Sequence, residues 1–96
     1  MEDLEIKLKL SNQSFVEAGG KDVYPDLEIV GVVHAILTQG ENCPPWNFRR
    51  INKRLDICAE EMFGTHVFGI KYLLRPDGSV GEVFYGAIGT VYKTTN

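Results

Sequence analysis

The sequence predicts an α+β fold: a small antiparallel sheet packed on one helix, in β-α-β-β order behind a leading N-terminal strand. Three observations carry this expectation. Apolar residues alternate with period two near the N-terminus, an apolar β-branched run follows, and a stretch of helical periodicity separates that run from two further strand-like segments. The chain has 96 residues, with 10 Lys+Arg against 13 Asp+Glu and a formal net charge of −3. That length fits a single domain, 1–96, with a leading strand and connector over 1–25 and a β-α-β-β core over 26–93.

The leading strand is read over residues 4–10, where Leu4, Ile6, Leu8 and Leu10 alternate with Glu5, Lys7 and Lys9. One face is dry and the other wet. Residues 11–25 hold Ser11-Asn12-Gln13-Ser14, Ala18-Gly19-Gly20-Lys21-Asp22 and Pro25-Asp26, which are turn-forming combinations. They read as a connector, with room for a short strand over 14–17. The connector separates the leading strand from the rest, so that strand is free to pair outside its own core.

Residues 27–38 are rich in Val, Ile and Leu, and apolar on both faces. A strand with that pattern expects protein on both sides. Gly31 in its middle predicts a bulge, a bend or the close approach of another backbone. Gln39 to Pro45 reads as a loop. The helix is predicted over 47–63, with Asn47 as N-cap, Trp46 stapled on Ile51, and Gly64 as the stop. Ile51, Leu55, Cys58, Ala59 and Met62 form its apolar stripe. Residues 66–74 and 80–93 are strands joined by Arg75-Pro76-Asp77-Gly78-Ser79, a turn in which Pro presets φ and Gly accepts positive φ. The tail 94–96 is expected to fray.

Composition excludes some functions. The acidic balance argues against a general nucleic-acid binder, because phosphate affinity comes from clustered cations. No apolar run approaches a membrane span, and Met1 to Glu5 lacks the apolar segment of a secretory signal. Cys43 and Cys58 form no CxxC and read as thiols of a reducing compartment. A cytoplasmic protein is expected.

The candidate chemistry is sparse. Metal-ligand residue types occur at His34, Cys43, Cys58 and His66, with Glu60 and Glu61 beside them, but no two have the paired spacing of a structural zinc site. A site for a divalent metal would have to be assembled by the fold or shared between subunits. Arg49, Arg50, Lys53 and Arg54 make the first half of the helix basic, with Trp46 and Phe48 beside them. Those residue types suit an anionic partner or a nucleic acid. They oppose the helix dipole; the pattern reads first as a solvated face with local ion pairs, and alternatively as a surface whose cost is offset by something outside the helix. Neither a nucleophile elbow nor a phosphate loop is present, and no catalytic residue is assigned.

Three segments resemble the small YbjQ-like family, often labelled as heavy-metal-binding domains. Glu28-Ile29-Val30-Gly31-Val32-Val33 is similar to that family's opening strand. Cys58-Ala59-Glu60-Glu61-Met62-Phe63-Gly64-Thr65-His66-Val67-Phe68-Gly69-Ile70 resembles its helix end and following strand, and Ala87-Ile88-Gly89-Thr90-Val91-Tyr92-Lys93 its closing strand. Two features depart: Cys43-Pro44-Pro45-Trp46 stands where the family has a Gly-Gly-Arg segment, and the leading strand has no counterpart. The resemblance implies a dodecin-like subunit assembled as a homo-oligomer, with a pentameric ring as the suggested form. A ligand-binding scaffold is therefore expected. The alternative is nucleic-acid or anionic-partner binding through the basic helix start.

Overall fold

The computed structural model describes residues 3–37, 46–74 and 84–95. Among them the elements are β1 (Lys9–Leu10), α1 (Gly20–Val23), β2 (Leu27–Ile36), α2 (Trp46–Glu61), β3 (His66–Leu74) and β4 (Phe84–Thr94). The sheet order is β1-β3-β4-β2. The long strands pair antiparallel, as expected, while β1 joins β3 in parallel and makes the sheet mixed. The architecture is α+β, one sheet on one principal helix.

The helix covers a single face of the sheet. Ile51, Leu55 and Ala59 of α2 are fully buried against Val33 and Ala35 of β2, Val67 and Ile70 of β3, and Ala87 and Val91 of β4. These helix positions recur at i, i+4 and i+8, so the spacing that predicted the stripe is what closes the core. Cys58 and Met62 are only partly buried, at the margin of that core.

Several boundaries differ from the sequence reading. Only Lys9–Leu10 of the 4–10 segment is strand. Residues 4–8 run as an extended strap beside α2, for a reason given below. The connector forms turns and the short α1, with no strand over 14–17. It is no mere spacer. Phe15 stacks on Tyr92 at 4.5 Å and meets Phe68 edge-on at 5.5 Å, and Tyr24 meets Phe68 at 5.4 Å. The connector thus folds over one end of the sheet face opposite the helix, and it pairs with β3 through Ser11 N to Val67 O (2.9 Å) and Gly69 N to Gln13 O (2.7 Å). Gly69 takes φ +68° in the bulge that makes this possible. The predicted bulge in β2 falls between Ile29 and Gly31.

Helix α2 begins at Trp46, one residue early, which places Asn47 inside it and not at the cap. At its other end the left-handed residue is Phe63, with φ 62°, and not Gly64. Phe63 N bonds Glu60 O (2.9 Å) and Gly64 N bonds Ala59 O (2.9 Å), the paired bonds of a Schellman motif. Gly64 is needed for a different reason: a Cβ there would collide with Val91 Cγ1. Thr95, expected to fray, is held by its N–H on Asp26 O at 2.8 Å. The predicted turn over 75–79 and the loop over 39–45 lie outside the described residues.

Candidate functional site

The two flanks of α2 carry different chemistry. At about 100° per residue, Arg49 and Lys53 fall on one flank and Arg50 and Arg54 on the other. The four cations span one arc of about 140° of the helix surface, and what separates them is their contacts: Lys53 bonds the strap and Arg54 bonds β2.

The first flank meets the strap. Asp56 is fully buried, and its Oδ1 accepts hydrogen bonds from Lys7 N (3.1 Å) and Leu8 N (2.8 Å). Lys53 Nζ lies 3.4 Å from Asp56 Oδ2 and donates to Glu5 O at 2.6 Å. A buried carboxylate is costly unless paired and hydrogen-bonded, and here it is both. This network explains why residues 4–8 are not strand: their backbone is satisfied by a helix side chain and not by a neighbouring strand. Beyond the network, Leu4, Glu5, Ile6, Phe48, Arg49 and Asn52 line a cleft of about 440 Å³. Phe48 packs on Tyr72 at 4.7 Å, and the Tyr72 hydroxyl donates to Asn52 Oδ1 at 2.5 Å. Burial raises the Tyr72 hydroxyl above its usual pKa.

The second flank faces the open edge of the sheet. Among the described residues nothing pairs with the outer side of β2. His34, Ala35 and Ile36 of β2 and Arg54, Ile57 and Cys58 of α2 line a largely apolar groove of about 310 Å³. Arg54 Nη1 donates to Ile36 O at 2.9 Å across it. Cys58 is a free thiol at the groove wall. The opposite face of the sheet is open too, beyond the reach of the connector. Ile29 (65% exposed), Val32 (67%), Ile36 (55%) and Ile88 (41%) form an apolar strip there. The expectation that both faces of β2 are covered fails within one chain, because the connector reaches only the His66–Phe68–Tyr92 end.

The metal-type residues do not converge. His34 and Cys58 share the groove. His66 pairs with Tyr92 on β4 while His34 pairs with Ile88, so they stand on opposite sides of β4 and four residues apart along it. His66 stacks on Phe68 at 5.8 Å, and its Nδ1 lies 2.9 Å from Thr65 Oγ1. Its pKa is lowered from 6.5, first by burial and then by Lys9. Cys43 lies outside the described residues. Among the described residues no three His, Cys, Asp or Glu side chains come together as a metal site would need. Trp46 begins α2, next to Phe48, which is half-exposed over the strap-side cleft.

Asp56 is the functional-looking residue the sequence reading missed. On a helix that also carries Arg49, Arg50, Lys53, Arg54, Glu60 and Glu61, one more charged residue was no signal, and its partners are backbone N–H groups far away in sequence. No family model, curated protein or solved structure matches the chain. Among the described residues no helix is long and apolar enough to cross a membrane.

Proposed function

We propose that this chain is the subunit of a cytoplasmic homo-oligomer, a small scaffold whose association surface is β2. The observation that carries this reading is a ten-residue apolar strand at the edge of the sheet formed by the described residues, with Ile29, Val32 and Ile36 exposed on its outer face. Soluble monomers blunt such edges with Lys, Pro or short strands. β2 has none of these: its polar residues are Glu28 and His34. The resemblance to the YbjQ-like family points the same way, since it implies an assembled subunit.

The leading strand was the expected link between subunits. In this reading that role passes to β2, because the strap is already held by Asp56 of its own chain. The test is sedimentation velocity of the full chain across a concentration range. A species heavier than the monomer is expected. A monomer that persists at about 100 μM overturns the reading.

A further inference from the structure

We infer that β2 pairs with the β2 of a second copy about a two-fold axis at His34, and that the α2 flanks of the two copies close over the same axis. This inference rests on the self-association proposed above and names its partner and register.

The backbone sets the register. Leu37 N donates to Tyr85 O at 2.7 Å, so the odd-numbered residues of this stretch turn their backbone groups to β4. Val32, His34 and Ile36 therefore turn theirs to the open edge. Ile36 O, which receives Arg54 from outside the sheet, confirms the phase. An antiparallel pairing keeps edge-facing residues opposite one another whichever residue it is centred on; the centre that sets the exposed Val32 opposite the exposed Ile36 is His34. Centred on His34, it sets Val32 opposite Ile36 of the other copy, and Ile36 opposite its Val32. Both are apolar cross-strand pairs on the outer face, of the kind that stabilise sheets. Ile36 O keeps a second lone pair for the new strand while Arg54 holds the first.

The helix supplies an independent match. Two contacts fix how α2 lies along β2: Arg54 reaches Ile36, and Met62 Cε lies where a Cβ on Gly31 would come within 2.9 Å. The helix runs opposite to the strand, and interpolation between these contacts puts His34 level with Ile57. A two-fold axis at His34 thus passes α2 between Ile57 and Cys58. The flank facing that axis carries Arg54, Ile57, Cys58 and Glu61, at i, i+3, i+4 and i+7. Across the axis the helices are antiparallel, so Arg54 meets Glu61 of the other copy and Ile57 meets its Cys58. These four positions are self-complementary in charge and in apolar character, while Arg50, nearer the helix start, faces a position beyond the end of the other α2. Ile57 is 43% exposed and Glu61 is exposed in the single chain, and both gain partners. The groove lined by His34, Ala35, Ile36, Arg54, Ile57 and Cys58 is then half of a closed seam. Such a two-fold contact is isologous and gives a closed dimer.

The experiment is sedimentation equilibrium on the full chain and four variants. Val32→Pro removes an edge-facing N–H while leaving the β2–β4 bonds intact. Glu61→Arg and Arg54→Glu set like charges against each other across the axis. Arg54→Glu with Glu61→Arg exchanges the charges and restores the match. The expected result is a wild-type dimer, at least a tenfold weaker dissociation constant for Val32→Pro and for each charge reversal, and recovery in the exchange variant. If circular dichroism shows Val32→Pro to be unfolded, the three charge variants decide. A wild-type dimer unmoved by the charge reversals overturns this interface and leaves self-association standing. A ring of more than two subunits overturns the two-fold axis in the same way. A persistent monomer overturns both.

Discussion

Asp56 shows how much one side chain can fix. Its carboxylate is fully buried and takes two backbone N–H groups from the strap. Asp56→Ala leaves those donors without an acceptor and removes the counter-charge of Lys53. The expected cost is about 3 kcal/mol in urea melts. A loss under ~1 kcal/mol would mean the strap is not anchored there. Phe63 is the opposite case. It is 84% exposed and holds a left-handed φ of 62° at the helix end. Phe63→Gly relieves that strain with little packing lost, and should stabilise the fold by about 1 kcal/mol; a destabilised variant would show that the ring makes contacts that matter. His66 adds a pH dependence. Its folded pKa is lowered from 6.5 by burial and by Lys9. Below 6.5 the unfolded chain takes up a proton that the folded one resists. The contribution is present in full above 6.5 and is lost as pH falls through the lowered folded value. His66→Gln should flatten stability against pH in that acid range, and an unchanged slope would assign the effect elsewhere.

At the scale of elements, α2 is the organiser. One stripe closes the core, one flank anchors the strap and one flank lines the sheet edge. Leu55 is fully buried at the centre of the stripe. Leu55→Ala should cost about 2–5 kcal/mol, read as a shift of the denaturant midpoint at constant slope. A cost below ~1 kcal/mol would contradict the burial. The basic start of the helix, unfavourable for the dipole, is offset in part by specific acceptors: Lys53 by Asp56 and Glu5 O, Arg54 by Ile36 O. Those two cations are explained by the fold, without an anionic ligand.

For the whole molecule the governing fact is the count of layers. A domain of this length has one modest core and a thin margin of stability. Among the described residues one sheet face is covered by a helix and the other at one end, by Phe15 and Tyr24. Association is the direct way to cover the remainder. A subunit that binds a second copy only when folded gains stability by mass action. The midpoint of thermal unfolding should therefore rise with protein concentration. A midpoint independent of concentration over about two decades would separate folding from association and weigh against the scaffold reading.

The sequence by itself determined the elements whose signal is local. The apolar β-branched run over 27–38, the i, i+4, i+8 spacing of Ile51, Leu55 and Ala59, and the strands after Gly64 all led to the observed α+β order. Periodicity is a property of neighbours along the chain, so it is legible there. The tertiary structure decided what depends on residues distant in sequence. It turned the 4–8 strand into a strap, because the acceptor for Lys7 and Leu8 sits on Asp56. It drew Lys53 to the strap and Arg54 to β2, and set His34 beside Cys58 but not beside His66. It also left β2 at the edge, since strand order in a sheet follows from which surfaces must be buried together and not from the pattern of any one strand.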